Sequence, residues 1–172
     1  MGHFARALGA ARSGHPEAAL ADITKLDALA KELAGNKYWA EQVIIEHGAA
    51  KAWVAKAEGR TEEAISSMRA AADLEDASEK NISMENRLFP MRELLGDMLL
   101  ESGQPQGALA EYEQALTRTP ARLRSYYGAA KAAEKTGEAA KAESYYQRIV
   151  AMCAEDSDRP EVKEAKAVLA KN

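Results

Sequence analysis

The sequence predicts an all-α fold, a helical solenoid of about nine helices with a C-terminal capping helix, and three observations predict it. Gly14, Gly59, Gly103 and Gly137 each precede an alanine by five residues, at Ala19, Ala64, Ala108 and Ala142. The glycines are spaced by 45, 44 and 34 residues, a period typical of stacked supersecondary units. Finally, 37 alanines stand against five valines and six isoleucines in 172 residues, a composition that favours helix over strand.

The helix breakers set the elements in order. A helix over 3–13 ends at Gly14, because glycine inside a helix costs about 0.8–1.0 kcal/mol relative to alanine and suits the position just past its end. Pro16 suits the first turn of a helix over 16–34, which is one to two turns longer than its counterparts. A helix over 37–58 runs to Gly59. Thr61 is the expected cap of the next, 61–75, with Glu62 and Glu63 placed well against its dipole. Helices over 90–102 and 105–117 flank Gly103, the second opened by Pro105. Helices over 121–136 and 139–153 flank Gly137. The last, 160–171, carries Val162, Ala165, Val168 and Leu169 on one side, with Asp158 and Glu161 expected as a capping box.

Around each glycine the same slots recur. Nine residues later stand Ile23, Met68, Tyr112 and Tyr146; twelve later, Leu26, Ala71, Ala115 and Ile149; seven before, Ala7, Ala52, Gly96 and Ala130. Small residues at fixed slots let two helices approach closely, and the larger ones fill between neighbouring hairpins.

At these residues the chain resembles the tetratricopeptide repeat (TPR) family. The resemblance is clearest from Leu95-Gly96 through Gly103, Ala108, Tyr112, Ala115 and Pro120, and again through Tyr126, Ala130, Gly137, Ala142, Tyr146 and Ile149. It implies a right-handed α–α superhelix over 1–172. The expected divisions are a degenerate hairpin at 1–44, repeats at 45–78, 89–122 and 123–156, an inserted loop at 79–88 and a capping helix at 157–172. The chain also resembles the C-terminal part of longer bacterial proteins of this family, which would make it a fragment. The insertion reads as a polar loop that packs back through Ile82, Met84, Leu88 and Phe89 to seal an irregular joint, a lid being the alternative. Asn81-Ile82-Ser83 is formally a glycosylation acceptor of a kind frequent by chance.

The resemblance further implies a concave groove lined by the first helices of the hairpins, receiving a peptide or protein partner. Counting back from each turn glycine places Glu46, Ala49, Trp53 and Lys56 there, then Pro90, Glu93, Asp97 and Leu100, then Arg124, Tyr127, Lys131 and Glu134, with Phe4 and Leu8 at the N-terminal end. Trp53 and Tyr127 are the expected exposed anchors, and Arg124 with Lys131 the expected seat of a partner's carboxylate. The lysine and asparagine slots of the family's carboxylate clamp hold other residues here. Trp39 beside Tyr38 reads as a packing staple, and Cys153 as a small buried hydrophobe that cannot form an internal disulfide.

No catalytic, metal or cofactor-binding constellation is expected: His3, His15 and His47 lie far apart, and phosphate-cradling loops and nucleophile elbows are missing. A net charge of −4 gives no reason to expect nucleic acid, and no apolar run approaches the roughly 18 residues of a membrane span. The compartment stays open. The reading is a non-catalytic protein-interaction module; the alternative is a spacer or homodimerising arm of a longer protein.

Overall fold

A computed structural model describes residues 1–78 and 89–171, which contain nine α-helices and no strand. They are α1 (Gly2–Arg12), α2 (Pro16–Glu32), α3 (Lys37–Ala57), α4 (Thr61–Ala77), α5 (Met91–Glu101), α6 (Pro105–Arg118), α7 (Leu123–Thr136), α8 (Ala139–Met152) and α9 (Pro160–Leu169). The expectations for the insertion, including Asn81, Ile82, Met84 and Leu88, lie outside the described residues. Phe89, expected to bury with that segment, is 37% exposed.

All four turn glycines adopt the left-handed backbone that a Cβ disfavours, with φ of 82°, 84°, 75° and 79°. In each turn the N–H after the glycine donates to the carbonyl four residues before it: His15 to Ala10, Arg60 to Ala55, Gln104 to Leu99 and Glu138 to Ala133, at 2.9–3.0 Å. The glycine N–H donates to the carbonyl three residues before it. Both bonds of the Schellman motif thus recur four times, and each turn folds the chain back into a hairpin.

The chain divides into two compact units, Met1–Met91 and Arg92–Asn172. In the first, hairpins α1–α2 and α3–α4 stack, with α3 packed against both α1 and α2. Ala7, Ala19, Ala49, Ala52, Ala64 and Met68 are wholly buried at the crossings. Glu75, near the end of α4, accepts a hydrogen bond from the Met91 N–H at 2.8 Å.

In the second unit, hairpins α5–α6 and α7–α8 stack and α9 packs on α8. Tyr112 of α6 is the wedge between them: a Cβ on Gly96 of α5 or on Gly128 of α7 would meet its ring at 2.8 and 2.3 Å respectively. Two glycines therefore make room for one aromatic side chain. Behind it, Arg92 and Glu111 form a buried ion pair at 2.9 Å between α5 and α6. Burial of Tyr112, Tyr146, Leu95, Leu99, Leu109 and Ile149 supplies the apolar core.

Two expected caps fall one position off. Arg60 precedes α4 and Thr61 is its first residue; Arg159 precedes α9, and neither cap residue makes a side-chain cap bond. The Gly59 turn and Pro160 at the first helical position fix where these helices begin, so Thr61 lies too late and Asp158 too early. Asn36 is the side-chain cap the sequence reading missed, accepting from the Trp39 N–H at 3.4 Å. The Trp39 ring meets Tyr38 edge-on at 5.0 Å yet stays 39% exposed, and Cys153 is only half-buried.

Candidate interaction face

In the second unit the first helices carry one stripe each. Glu93 and Asp97 lie one turn apart on α5, and Arg124, Tyr127 and Lys131 follow at spacings of three and four on α7, so each set shares a helix face. The structure brings the two stripes together. Glu93 is fully buried, and its carboxylate accepts from Ser125 Oγ at 2.6 Å and from Arg122 Nε and Nη2 at 3.1 and 3.3 Å. Arg124 Nε lies 3.1 Å from the same carboxylate, and Arg124 Nη2 pairs with Asp97 Oδ2. The Tyr112 hydroxyl donates to Asp97 Oδ1 at 2.7 Å. A carboxylate removed from water needs such compensation, and here two guanidinium groups and a hydroxyl provide it.

A second cluster joins α7 to α9. Tyr127 donates to Glu164 Oε2 at 2.6 Å, and Lys131 Nζ lies 2.8 Å from Glu164 Oε1 and 2.8 Å from Glu134 Oε2. Burial and the Glu164 carboxylate push the Tyr127 phenol up to about 12. Lys131 sits above the usual lysine range because its bonds to Glu134 and Glu164 outweigh the opposing effect of burial. Glu164 is held below the usual carboxylate range by Lys131 and then Tyr127. For Arg124, burial opposes the charge, and Asp97 with Glu93 outweighs it.

These bonds correct one expectation. Arg124 and Lys131 do not stand open for a partner's carboxylate; their positive charge is already matched by Glu93, Asp97, Glu134 and Glu164. Acidic residues on the neighbouring helices face each basic one, so the pairing is internal. Arg124 nonetheless keeps 42% of its side chain exposed, and Tyr127 and Lys131 are half-buried.

In the first unit the expected lining turns inward. Phe4, Leu8, Glu46, Ala49 and Trp53 are all buried, Trp53 at 2% exposure, because this stripe of α3 is directed toward α1. The Trp53 ring lies under the Arg12 guanidinium at 4.4 Å and the Lys56 ammonium at 5.4 Å, a cation–π arrangement, and its indole N–H is buried without a hydrogen-bond partner. Trp53 is a core residue and not an exposed anchor. Of the α3 positions counted as lining, only Lys56 keeps appreciable exposure.

The sequence reading missed Arg122, Ser125, Gly128 and Glu164 as participants. Their signal was the period itself: adding 34 to Tyr127 and Gly128 gives Glu161 and Val162, which places α9 in the register of a further first helix.

Residues 94–160 match the tetratricopeptide repeat family. No curated protein matches the chain.

Proposed function

Residues 94–160 belong to the tetratricopeptide repeat family, and from that premise we propose that this protein is a non-catalytic interaction module whose α5–α7–α9 face receives a segment of a protein partner. Repeats of this family generally mediate protein–protein interaction and are generally not catalytic. The observation that carries the reading is the exposure left on the face after its internal pairing: Arg124 at 42%, with Tyr127 and Lys131 half-buried beside it. A planar guanidinium held by two carboxylates and a phenol fixed by Glu164 are already ordered, so binding to them loses little side-chain freedom.

Affinity capture with the 172-residue chain as bait, compared with an Arg124→Ala/Tyr127→Ala/Lys131→Ala variant, tests this. The expected result is a partner retained by the parent and lost by the variant, with helicity by circular dichroism unchanged. Equal retention by both would place the binding surface elsewhere.

A further inference from the structure

Tyr127 and Lys131 present two donors to one carboxylate. The Tyr127 hydroxyl donates to Glu164 Oε2 at 2.6 Å and Lys131 Nζ to Glu164 Oε1 at 2.8 Å, so both oxygens of a single α9 side chain are engaged. Lys131 also holds Glu134 of its own helix at 2.8 Å, a pairing that does not depend on Glu164. A hydroxyl and an ammonium four residues apart on one helix face thus form a seat for a two-pronged acceptor, and a segment of this chain fills it.

The helix that fills it is lightly held. The ten residues of α9 bury only Val162 and Ala165, against six buried residues on α7. Its N-cap, Arg159, makes no side-chain cap bond, and Lys166 reaches only back to the Glu155 carbonyl in the loop that leads into the helix. The Glu164 side chain, its hydrogen-bonded tie to α7, is 39% exposed. Glu93 on α5 makes the contrast: its side chain is 1% exposed and fixed by Ser125, Arg122 and Arg124. A ten-residue helix is marginal by itself in water, so α9 persists through its docking.

We propose that α9 is a latch on the interaction face: Glu164 occupies the seat of an acidic side chain of the partner, and that side chain, by replacing it on Tyr127 and Lys131, releases α9. This rests on the interaction face proposed above and names the chemistry of what the face receives. Two of the three side chains assigned to partner binding are the two that hold α9, so a partner reaching them competes with the helix. Exchanging one carboxylate for another leaves both donors bonded, so the exchange forfeits the docking of α9 without leaving a donor unpaired. A ligand shifts such an equilibrium only through its differential affinity for the two states, and here the seat is open only when α9 has left it.

Hydrogen exchange of the α9 amides and fluorescence anisotropy of labelled, amide-capped tetraglutamate and tetraglutamine, both on the full chain, provide the test. Tetraglutamate is expected to bind in preference to tetraglutamine and to speed exchange in α9 while α7 and α8 stay protected. Glu164→Gln should speed α9 exchange in the free chain and tighten tetraglutamate binding about threefold, the scale of one partly exposed charge pair. Tyr127→Phe/Lys131→Met should also speed α9 exchange but abolish the preference for tetraglutamate. Two variants that loosen the same helix thus move affinity in opposite directions, which a purely structural role for α9 would not produce. Glu17→Gln makes the same change in net charge from an exposed position in the other unit and should leave both readings as in the parent. The latch is overturned if Glu164→Gln fails to tighten tetraglutamate binding, if Glu17→Gln tightens it equally, or if bound tetraglutamate leaves α9 exchange unchanged. Partner capture that still depends on Arg124, Tyr127 and Lys131 would then leave the interaction face standing without it.

Discussion

Tyr112 sets the approach of three helices, and the glycines beside it have no freedom to change. In an open helix, alanine replacing glycine stabilises by about 1 kcal/mol. At Gly128 the added methyl would lie 2.3 Å from a buried ring that cannot retreat, so the sign reverses: Gly128→Ala should destabilise by about 3 kcal/mol through overpacking. Gly9 in α1 is the control, since a Cβ there meets nothing within 4 Å, and Gly9→Ala should stabilise by about 0.5–1 kcal/mol. Urea unfolding of the two variants checks both signs; stabilisation by Gly128→Ala would show that the wedge yields. At this scale the sequence was legible where one residue's size determines its place. The buried alanines and Tyr112 could be read directly from the repeat. Trp53 could not, because a one-helix count fixes the angle of a side chain but not whether α1 lies across it. Nor could the charge state of the face, since Glu93 and Arg124 acquire their meaning only when α5 and α7 meet.

At the level of elements, the turns show why helix ends were easier to locate than caps. A glycine at positive φ ends a helix at a definite residue, and four such ends were predictable from four glycines. The side-chain caps at Thr61 and Asp158 were misplaced by one residue because the glycine turn and Pro160 define the start first. The α6–α7 joint has no such glycine. It turns through Ala121, a non-glycine residue at φ 61°, where an L side chain costs roughly 1–2 kcal/mol. Ala121→Gly should relieve that strain. After the added backbone entropy of the unfolded chain is subtracted, we expect a net gain of about 0.5–1 kcal/mol, read as a higher urea midpoint with an unchanged slope. A lower midpoint would mean that Ala121 makes packing contacts worth more than its strain.

For the whole molecule, the titrating groups predict how stability responds to acid. Burial, and then Lys51, hold His47 below its ordinary 6.5, so charging it costs the folded state more than the unfolded one. Its contribution is therefore present above about pH 6.5 and is lost as the pH falls through the depressed folded value. Glu164 and Asp22 are held below 4.5 and 3.8, by Lys131 and by Arg6 respectively, and their contributions disappear only at lower pH. Stability should thus fall in two stages, and His47→Gln should remove the first; urea midpoints that stay level between pH 7 and 5 would contradict this. The all-helical class and the hairpin repeat were readable at this scale because period and composition are global properties. The register of α9 was not, because its glycine marker is missing and only the continued spacing reveals it. The placement of aromatic residues has a practical consequence. Both tryptophans, Trp39 at 39% exposure and Trp53 at 2%, belong to the unit Met1–Met91, while Tyr112, Tyr126, Tyr127, Tyr145 and Tyr146 all belong to the other. Indole emission excited at the red edge therefore follows one half of the chain alone. Iodide quenching would separate its two emitters, and near-ultraviolet tyrosine bands follow mainly the second half, so the unfolding of each can be recorded in one cuvette without a label.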